Sequence, residues 1–334
     1  MTWRRLATIA VLVAIAAVGA AAVVDAVRPD SGTASEARAT GTPAAEPDPV
    51  KTALEAAGIR GVLYYSDPED DCRAHAIRLP GAEQVPPPKL RACRFELPPD
   101  PGTGWLPRGA TWSPDGRLAA ADDGSRVSLW TPEGEVGRIA GRAPAWKPDG
   151  SLTVIRDGEV WGEQKLLSAR ELRRAAHTLQ IVPAGPRYLR SATAFAVAWF
   201  TDSRAAVLIR VRLRGRLQGI GPITALALFE GRRLVRVVPY SGARVLRLSP
   251  RRTFLSVVED GERVAVVDSD GRTRLDSITI PAPNAVAVTW SPDERWTAVA
   301  SRWSVHFLPT ADIVAGQTPR NIRLPLAARD LAWR

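Results

Sequence analysis

The stretch Trp112-Ser-Pro-Asp-Gly116 decides the fold, because related stretches return along the chain at intervals of roughly 35–53 residues. The related stretches are Trp146-Lys-Pro-Asp-Gly150, Trp199-Phe-Thr-Asp-Ser203, Leu248-Ser-Pro-Arg-Arg252, Trp290-Ser-Pro-Asp-Glu294 and the short Leu331-Ala-Trp333. Recurrence at this distance is typical of stacked supersecondary units, which bury their apolar faces against one another. The residues expected to define the repeat are therefore structural: Trp112, Asp115, Trp146, Asp149, Trp199, Asp202, Trp290, Asp293 and Trp333.

Each repeat predicts four short strands. In the first full copy, an apolar strand over residues 109–112 ends at the Trp, and further strands are expected over 117–121, 125–131 and 135–140. The Pro of the motif sets the φ of a tight turn, and the Gly accepts a left-handed conformation. Asp-Gly pairs such as Asp123-Gly124 separate the later apolar runs and are typical of hairpin turns. Four antiparallel strands per unit, repeated radially, predict the blades of a β-propeller.

The two ends of the domain are expected to complete one another. Residues 328–333 have the pattern of a first strand, and residues 61–66, 73–79 and 91–97 that of a second, third and fourth strand. The sequence thus predicts an all-β fold, a six-bladed β-propeller closed by its C-terminal strand. Closure removes strand edges that would otherwise pair with other chains.

The repeats resemble those of the TolB-type, WD40-like (PD40) β-propellers of bacterial envelopes. The resemblance rests on the Trp-Ser-Pro-Asp-Gly motif and covers about residues 61–334. The copy at Leu248 lacks both the Trp and the Asp, and the copy at Trp199 lacks the Pro. The resemblance implies contacts with other envelope proteins, although propeller folds carry many unrelated functions.

The N-terminus predicts export. Residues 6–24 carry no charged side chain and follow Arg4 and Arg5, which favours a membrane-spanning helix with its N-terminus in the cytoplasm. The expected organisation is a cytoplasmic segment over residues 1–5, a single-pass signal anchor over 6–24, a flexible linker over 25–57 and the propeller over 58–334. A cleaved signal peptide is the alternative, with Val18-Gly19-Ala20 as its processing site, and the domain would then be secreted.

The two cysteines, Cys72 and Cys93, lie in the exported part of the chain. An even pair in an oxidising compartment favours a disulfide, here expected to join the third and fourth strands of the closing blade. Two buried thiols are the alternative interpretation.

A segment inserted in the third unit is the first candidate binding surface. Ser168 and Glu171 have the spacing of a capping box, so a short helix is expected from Ala169 to about Thr178. Its candidate contact residues are Ser168, Glu171, Arg173, Arg174 and His177. Departures from a repeat often mark the binding face, and a packed surface insertion without such a role is the alternative.

A strand with alternating arginines is the second candidate surface. Arg210, Arg212 and Arg214 alternate with Val211 and Leu213, which places the arginines on one face of the strand. Such a stripe suits anionic cell-wall polymers or lipid headgroups. A solvated face of an arginine-rich protein is the alternative.

Charge and composition narrow the function classes. The net charge is +10, but no run of five or six like charges occurs, so no nucleic-acid partner is expected. No catalytic, metal-ligating or cofactor-binding motif stands out, and no cofactor is implied. We expect a binding or scaffold module for an envelope protein or peptide. The alternative is a metal-dependent propeller hydrolase or lactonase, which would gather Asp, Glu, Asn or His side chains in the central channel.

Overall fold

The computed structural model describes residues 48–67, 69–87, 96–97, 110–179, 188–214, 223–240, 242–243, 245–259, 263–275, 285–301 and 303–334. Every described residue belongs to one compact unit over residues 47–334. No helix within the described ranges is long and apolar enough to cross a membrane. The expected anchor over residues 6–24 and most of the linker lie outside these ranges.

Strands dominate the described residues. In chain order the first twelve are β1 (Gly61–Ser66), β2 (Ala74–Leu79), β3 (Glu83–Gln84), β4 (Ala110–Trp112), β5 (Ala119–Asp122), β6 (Arg126–Thr131), β7 (Gly134–Ala140), β8 (Arg142–Trp146), β9 (Leu152–Arg156), β10 (Glu159–Trp161), β11 (Lys165–Leu167) and β12 (Leu189–Trp199). They are followed by β13 (Arg204–Leu213), β14 (Ile223–Glu230), β15 (Arg233–Tyr240), β16 (Val245–Leu248), β17 (Phe254–Glu259), β18 (Arg263–Asp268), β19 (Thr273–Leu275), β20 (Ala285–Trp290), β21 (Trp296–Ser301), β22 (Val305–Pro309), β23 (Ile322–Leu324) and β24 (Asp330–Trp333).

These strands form six antiparallel sheets of four strands each, as the repeats predicted. Sheet I has the order β24-β1-β2-β3, which joins the last strand to the first. The other sheets follow the chain: sheet II is β4–β7, sheet III β8–β11, sheet IV β12–β15, sheet V β16–β19 and sheet VI β20–β23. Each repeat is therefore one sheet, and each motif lies at the end of its first strand.

The predicted pairing of the two ends is confirmed. β24 runs antiparallel to β1, with Leu63 opposite Trp333 and Ser66 opposite Asp330. Beyond the strand, the amide of Val62 donates to the carbonyl of Arg334 at 2.7 Å, so the ladder continues to the last residue.

The predicted fourth strand of sheet I is wrong. That position is taken by β3, which pairs with β2 through Ile77 and Arg78. Of the strand expected over 91–97, residues 91–95 lie outside the described residues, and residues 96–97 are not in a strand. Residues 83–84 follow a tight turn after β2, so pairing them closes a much shorter loop than pairing residues 91–97. Cys72 is buried in the turn before β2, and Cys93 lies outside the described residues. Their disulfide stays a prediction, but it would not join β2 to β3.

Within the described residues, three α-helices accompany the sheets: α1 (Pro49–Ala56), α2 (Ala169–His177) and α3 (Thr310–Ala315). α2 begins one residue after Ser168, and its capping box forms as the sequence predicted. The α1 helix lies against β23 of sheet VI and buries Leu54, so this end of the segment expected as a flexible linker over residues 25–57 is instead helical and packed.

The motif turns are held by side-chain hydrogen bonds. Ser113 Oγ donates to Asp115 Oδ1 at 2.6 Å and accepts the amide of Leu118 at 3.0 Å. Ser291 and Asp293 repeat the contact at 2.6 Å. Hydrogen bonds donated to a carboxylate favour its charged form, so these bonds lower the pKa of Asp293 below its ordinary value, the serine hydroxyl being the main cause.

Aromatic side chains from the motif pack between neighbouring sheets. Trp146 Nε1 donates to the carbonyl of Thr111 in sheet II at 3.1 Å, and Trp199 Nε1 donates to Thr153 Oγ1 in sheet III at 2.9 Å. Trp333 meets Phe307 of sheet VI edge to face, with ring centroids 5.3 Å apart. The repeated Trp of the motif thus packs its sheet against the neighbouring sheet.

Candidate functional site

One cavity is lined by residues from the first strand of each of the six sheets. It has a volume of about 700 Å³, and its lining includes residues of the first strands β24, β4, β8, β12, β16 and β20. The motif positions in its wall are Trp112, Trp146, Trp199, Leu248, Trp290 and Trp333. We call it the shared cavity. A molecule bound there would contact segments that lie far apart in the sequence.

A buried ion pair joins the first strands of sheets V and I in the wall. Arg247 of β16 donates from Nη1 to Asp330 Oδ1 and from Nη2 to Asp330 Oδ2 of β24, both at 2.8 Å. Arg247 Nη1 also donates to the carbonyl of Leu331 at 2.6 Å. The side chains are 16% and 4% exposed. Burial by itself would lower the pKa of Arg247, but the Asp330 carboxylate reverses this effect and raises the pKa above its ordinary value.

Sequence reasoning missed this pair, although a signal for it exists. One residue before the motif anchor, five first strands carry a small residue: Thr111, Ala145, Ala198, Thr289 and Ala332. Arg247 alone is charged at that position. Three residues before the anchor, Asp330 is the single charged residue among the six strands. Arg247 and Asp330 are thus residues of opposite charge at two repeat positions where the other strands carry small or apolar residues. This pattern indicates that their side chains pair.

A second arginine spans the motif end of the shared cavity. Arg252 Nη1 donates to the carbonyls of Trp146 at 3.2 Å and Trp199 at 2.8 Å, and so ties sheet V to sheets III and IV. Its φ of 59° places it where Gly116 and Gly150 stand in other copies of the turn. Burial lowers the pKa of Arg252, while Asp202 and Glu96 act in the opposite direction.

The other end of the wall is extended by sheet IV. β12 and β13 have 11 and 10 residues, whereas the first strands of the other sheets have three to six. Their pairing runs from Trp199 opposite Ala205 to Leu189 opposite Leu213. We call the part beyond Ala194 and Ile209 the overhang. Phe195, next to the overhang, lines the shared cavity.

The predicted arginine stripe lies on this overhang. Arg210, Arg212 and Arg214 are exposed, while the alternating Val211 and Leu213 are buried, as the period of two predicted. The guanidinium of Arg210 lies 5.0 Å from the ring centroid of Phe195, a cation–π contact. The stripe therefore reaches the wall of the shared cavity, which the sequence did not indicate.

The helical candidate surface divides into structural and exposed residues. Ser168 and Glu171 cap the helix: Glu171 accepts the amide of Ser168 at 2.9 Å and also its hydroxyl, which together outweigh burial and lower the pKa of Glu171. Arg173, Arg174 and His177 are exposed. The opposite face of α2 packs on sheet IV through Leu172, Ala175, Ala176 and Leu179. The helix α2 thus packs on the same sheet that carries the arginine stripe.

Among the described residues, no group of three or more His, Cys, Asp and Glu side chains is placed to hold a metal ion. The charged residues in the wall of the shared cavity are three arginines, Arg247, Arg252 and Arg334, and three acids, Glu96, Asp122 and Asp330. Guanidinium groups suit carboxylate or phosphate ligands through paired N–H donors. The chain matches no protein-family model and no curated protein.

Proposed function

We propose that this chain is a six-bladed β-propeller that binds an extended peptide segment of another cell-envelope protein at its axial channel. The observation that carries the proposal is the shared cavity, whose wall takes the first strand of all six sheets. A radial arrangement of four-stranded blades brings one strand of each blade to a central channel. The pairing of β24 with β1 supports closure by the C-terminal strand.

Contacts between sheets support the ring. β8 lies against β4 and β12, β12 against β16, and β20 against both β18 and β24. These contacts link the sheets consecutively in the order II, III, IV, V, VI and I. Consecutive contacts of this kind are expected when each blade packs face to face on the next.

The wall of the shared cavity favours a chain-like ligand. Its volume of about 700 Å³ is within the range of ordinary binding pockets. Arg252 spans the motif end, so approach is expected from the end that carries Phe195 and the overhang. A peptide side chain or chain end fits this geometry better than a broad protein surface does, and residues at the mouth of a rigid scaffold commonly carry binding.

We place the propeller outside the cytoplasm, held in the cell membrane by residues 6–24. The uncharged stretch after Arg4 and Arg5 supports this location, as does the resemblance to envelope propellers. Retention of the full chain in membranes washed with alkaline carbonate tests the anchor. Release into the wash would favour the secreted form instead.

A photocrosslinking experiment tests the binding site. A library of phage-displayed dodecapeptides is selected on the full-length chain, and a photoreactive benzoylphenylalanine is placed at Phe195 or, as a control, at Val136. Val136 is 59% exposed on β7, the last strand of sheet II. We expect selected peptides to crosslink from position 195 and not from position 136. Equal crosslinking from both positions, or a selection that yields no binding peptide, would overturn the proposed function.

A further inference from the structure

The overhang of sheet IV has two faces with different surroundings. On one face, Val211 and Leu213 belong to the same buried cluster as Leu172 and Ala175 of α2, so the helix covers this side. On the other face stand Arg210 and Arg212, opposite Thr193 and Ser191 of β12. The α2 insertion therefore makes the long hairpin stable on one side while its basic side stays exposed.

The stripe carries charge that the rest of the described structure does not neutralise. None of Arg210, Arg212 and Arg214 forms an ion pair with a carboxylate among the described residues. By contrast, Arg204 on the same strand pairs with Glu230 at 2.7 Å and Asp270 at 3.0 Å. The side-chain contact of Arg210 within the described ranges is the ring of Phe195. Three like charges along one strand face repel one another, and an anionic ligand would relieve this cost.

The spacing of the stripe points to the shape of that ligand. Successive arginines on one face of a strand stand about 6.7 Å apart, twice the rise per residue. An extended peptide has the same rise, so acidic side chains at every second position match the arginines one to one. Guanidinium and carboxylate groups form paired, charge-assisted hydrogen bonds. Phe195, at the inner end, offers an apolar contact to the same peptide.

We propose that Arg210, Arg212 and Arg214 recognise an extended acidic peptide whose carboxylates alternate along the chain and whose end enters the shared cavity beside Phe195. The proposal rests on the proposed function and names the partner's chemistry. A peptide is favoured over a bilayer because the stripe stands on β13, between β12 and β14, beside the wall of a cavity. A narrow chain reaches such a place, whereas a lipid surface would have to meet the outer strands first.

Fluorescence anisotropy with defined peptides tests this inference on the full-length chain. One labelled peptide alternates glutamate and threonine over six residues, and its control has the same composition with the three glutamates together. We expect the alternating peptide to bind at least tenfold more tightly than the control. Raising the salt concentration should weaken binding, because exposed charges are screened.

Two matched triple variants locate the effect. Arg210→Gln, Arg212→Gln and Arg214→Gln together should weaken binding of the alternating peptide at least tenfold. Arg232→Gln, Arg233→Gln and Arg236→Gln together remove the same charge from the exposed outer strand β15 of the same sheet and the turn before it, and should change binding less than threefold. Equal losses in both variants would reduce the effect to net charge and overturn the inference.

The remaining outcomes separate this inference from the function on which it rests. Peptides that crosslink from Phe195 but bind the stripe variant normally would leave the proposed function standing and refute the role of the arginines. Absence of any peptide binding would refute both. Vesicles of anionic phosphatidylglycerol provide the last arm: if the stripe variant loses vesicle binding and keeps peptide binding, the stripe recognises lipid and the inference is wrong.

Discussion

At the scale of single residues, the buried pair of Arg247 and Asp330 is the contact with the largest consequence for the shared cavity. The two terminal nitrogens of Arg247 donate to the two carboxylate oxygens of Asp330, and one of them also donates to the carbonyl of Leu331. Neither charge is therefore buried without a partner. Pairs of this kind contribute little net stability compared with apolar residues of similar volume. Removal of one partner is costly, however, because the other charge stays buried.

Asp330→Asn tests this asymmetry. We expect the free energy of unfolding to fall by about 3–5 kcal/mol, because Arg247 keeps its charge and loses its counterion. Urea unfolding followed by tryptophan fluorescence measures the change. The double variant Arg247→Met with Asp330→Asn should recover a large part of the loss, since no buried charge remains. A double variant that loses the sum of both single effects would contradict the argument.

The exposed pair of Arg138 and Glu135 is the matched control for that measurement. It joins residues three apart on β7, and the Arg138 side chain is 56% exposed. Solvent and salt screen such a pair. Glu135→Gln should therefore leave the urea midpoint nearly unchanged, and a loss comparable to that of Asp330→Asn would show that burial is not what matters.

His306 makes the stability of sheet VI depend on pH. It is 4% exposed and lies between Ser304 Oγ at 2.8 Å and the Asn321 amide, with Arg323 opposite on β23. Burial is the main cause that lowers the pKa of His306 below its ordinary value of 6.5; Asn321 opposes it and Arg323 adds to it. The unfolded chain therefore takes up a proton at a higher pH than the folded chain does.

Stability from this residue is consequently present above pH 6.5 and is lost as the pH falls toward the folded pKa. His306→Gln removes the titrating group and should flatten this part of the profile. The urea midpoints of both proteins are measured between about pH 8 and pH 5, the range in which histidine titrates. The difference between the two profiles isolates His306, because the other titrating groups are the same in both proteins. Parallel profiles would mean that His306 titrates alike in both states.

At the scale of elements, local patterns in the sequence predicted local structure well. The capping box of Ser168 and Glu171 fixed the start of α2, because both groups lie within one turn. The alternation of Arg210, Val211 and Arg212 predicted which side chains are exposed, because side chains of a strand point to opposite faces. In both cases the physical cause acts over fewer than ten residues.

Contacts between distant segments were harder to predict. The fourth strand of sheet I was expected over residues 91–97, but Glu83–Gln84 pairs with β2 instead. Both segments follow β2. Glu83 and Gln84 are polar, so the apolar pattern favoured residues 91–97 although pairing of residues 83–84 closes the shorter loop. The position of the arginine stripe beside Phe195 could not be predicted from the sequence either. It depends on how far β12 extends beyond the first strands of the other sheets.

At the scale of the whole molecule, the repeated motif couples each sheet to the next. The turn after β8 meets the turn after β12 where the amide of Asp149 donates to Asp202 at 2.8 Å. The turn after β16 meets the turn after β20 through the amide of Arg251 and Glu294 at 2.6 Å. Strand contacts between sheets join consecutive repeats, although Arg247 and Arg252 also reach sheets that are not consecutive. Stability therefore depends strongly on an unbroken series, and the place where the two chain ends meet is important.

Deletion of residues 328–334 tests that dependence. It removes β24, exposes the edge of β1, withdraws the buried Leu331 and Trp333 from the core and leaves Arg247 without Asp330. Because a folded domain is stabilised by only about 5–15 kcal/mol, these losses together should abolish cooperative unfolding. Deletion of residues 1–46 is the control, since the unit over residues 47–334 is compact by itself. Urea titration of both deletions decides the matter: if the C-terminal deletion unfolds in one transition at the midpoint of the intact chain, the last strand does not close the fold.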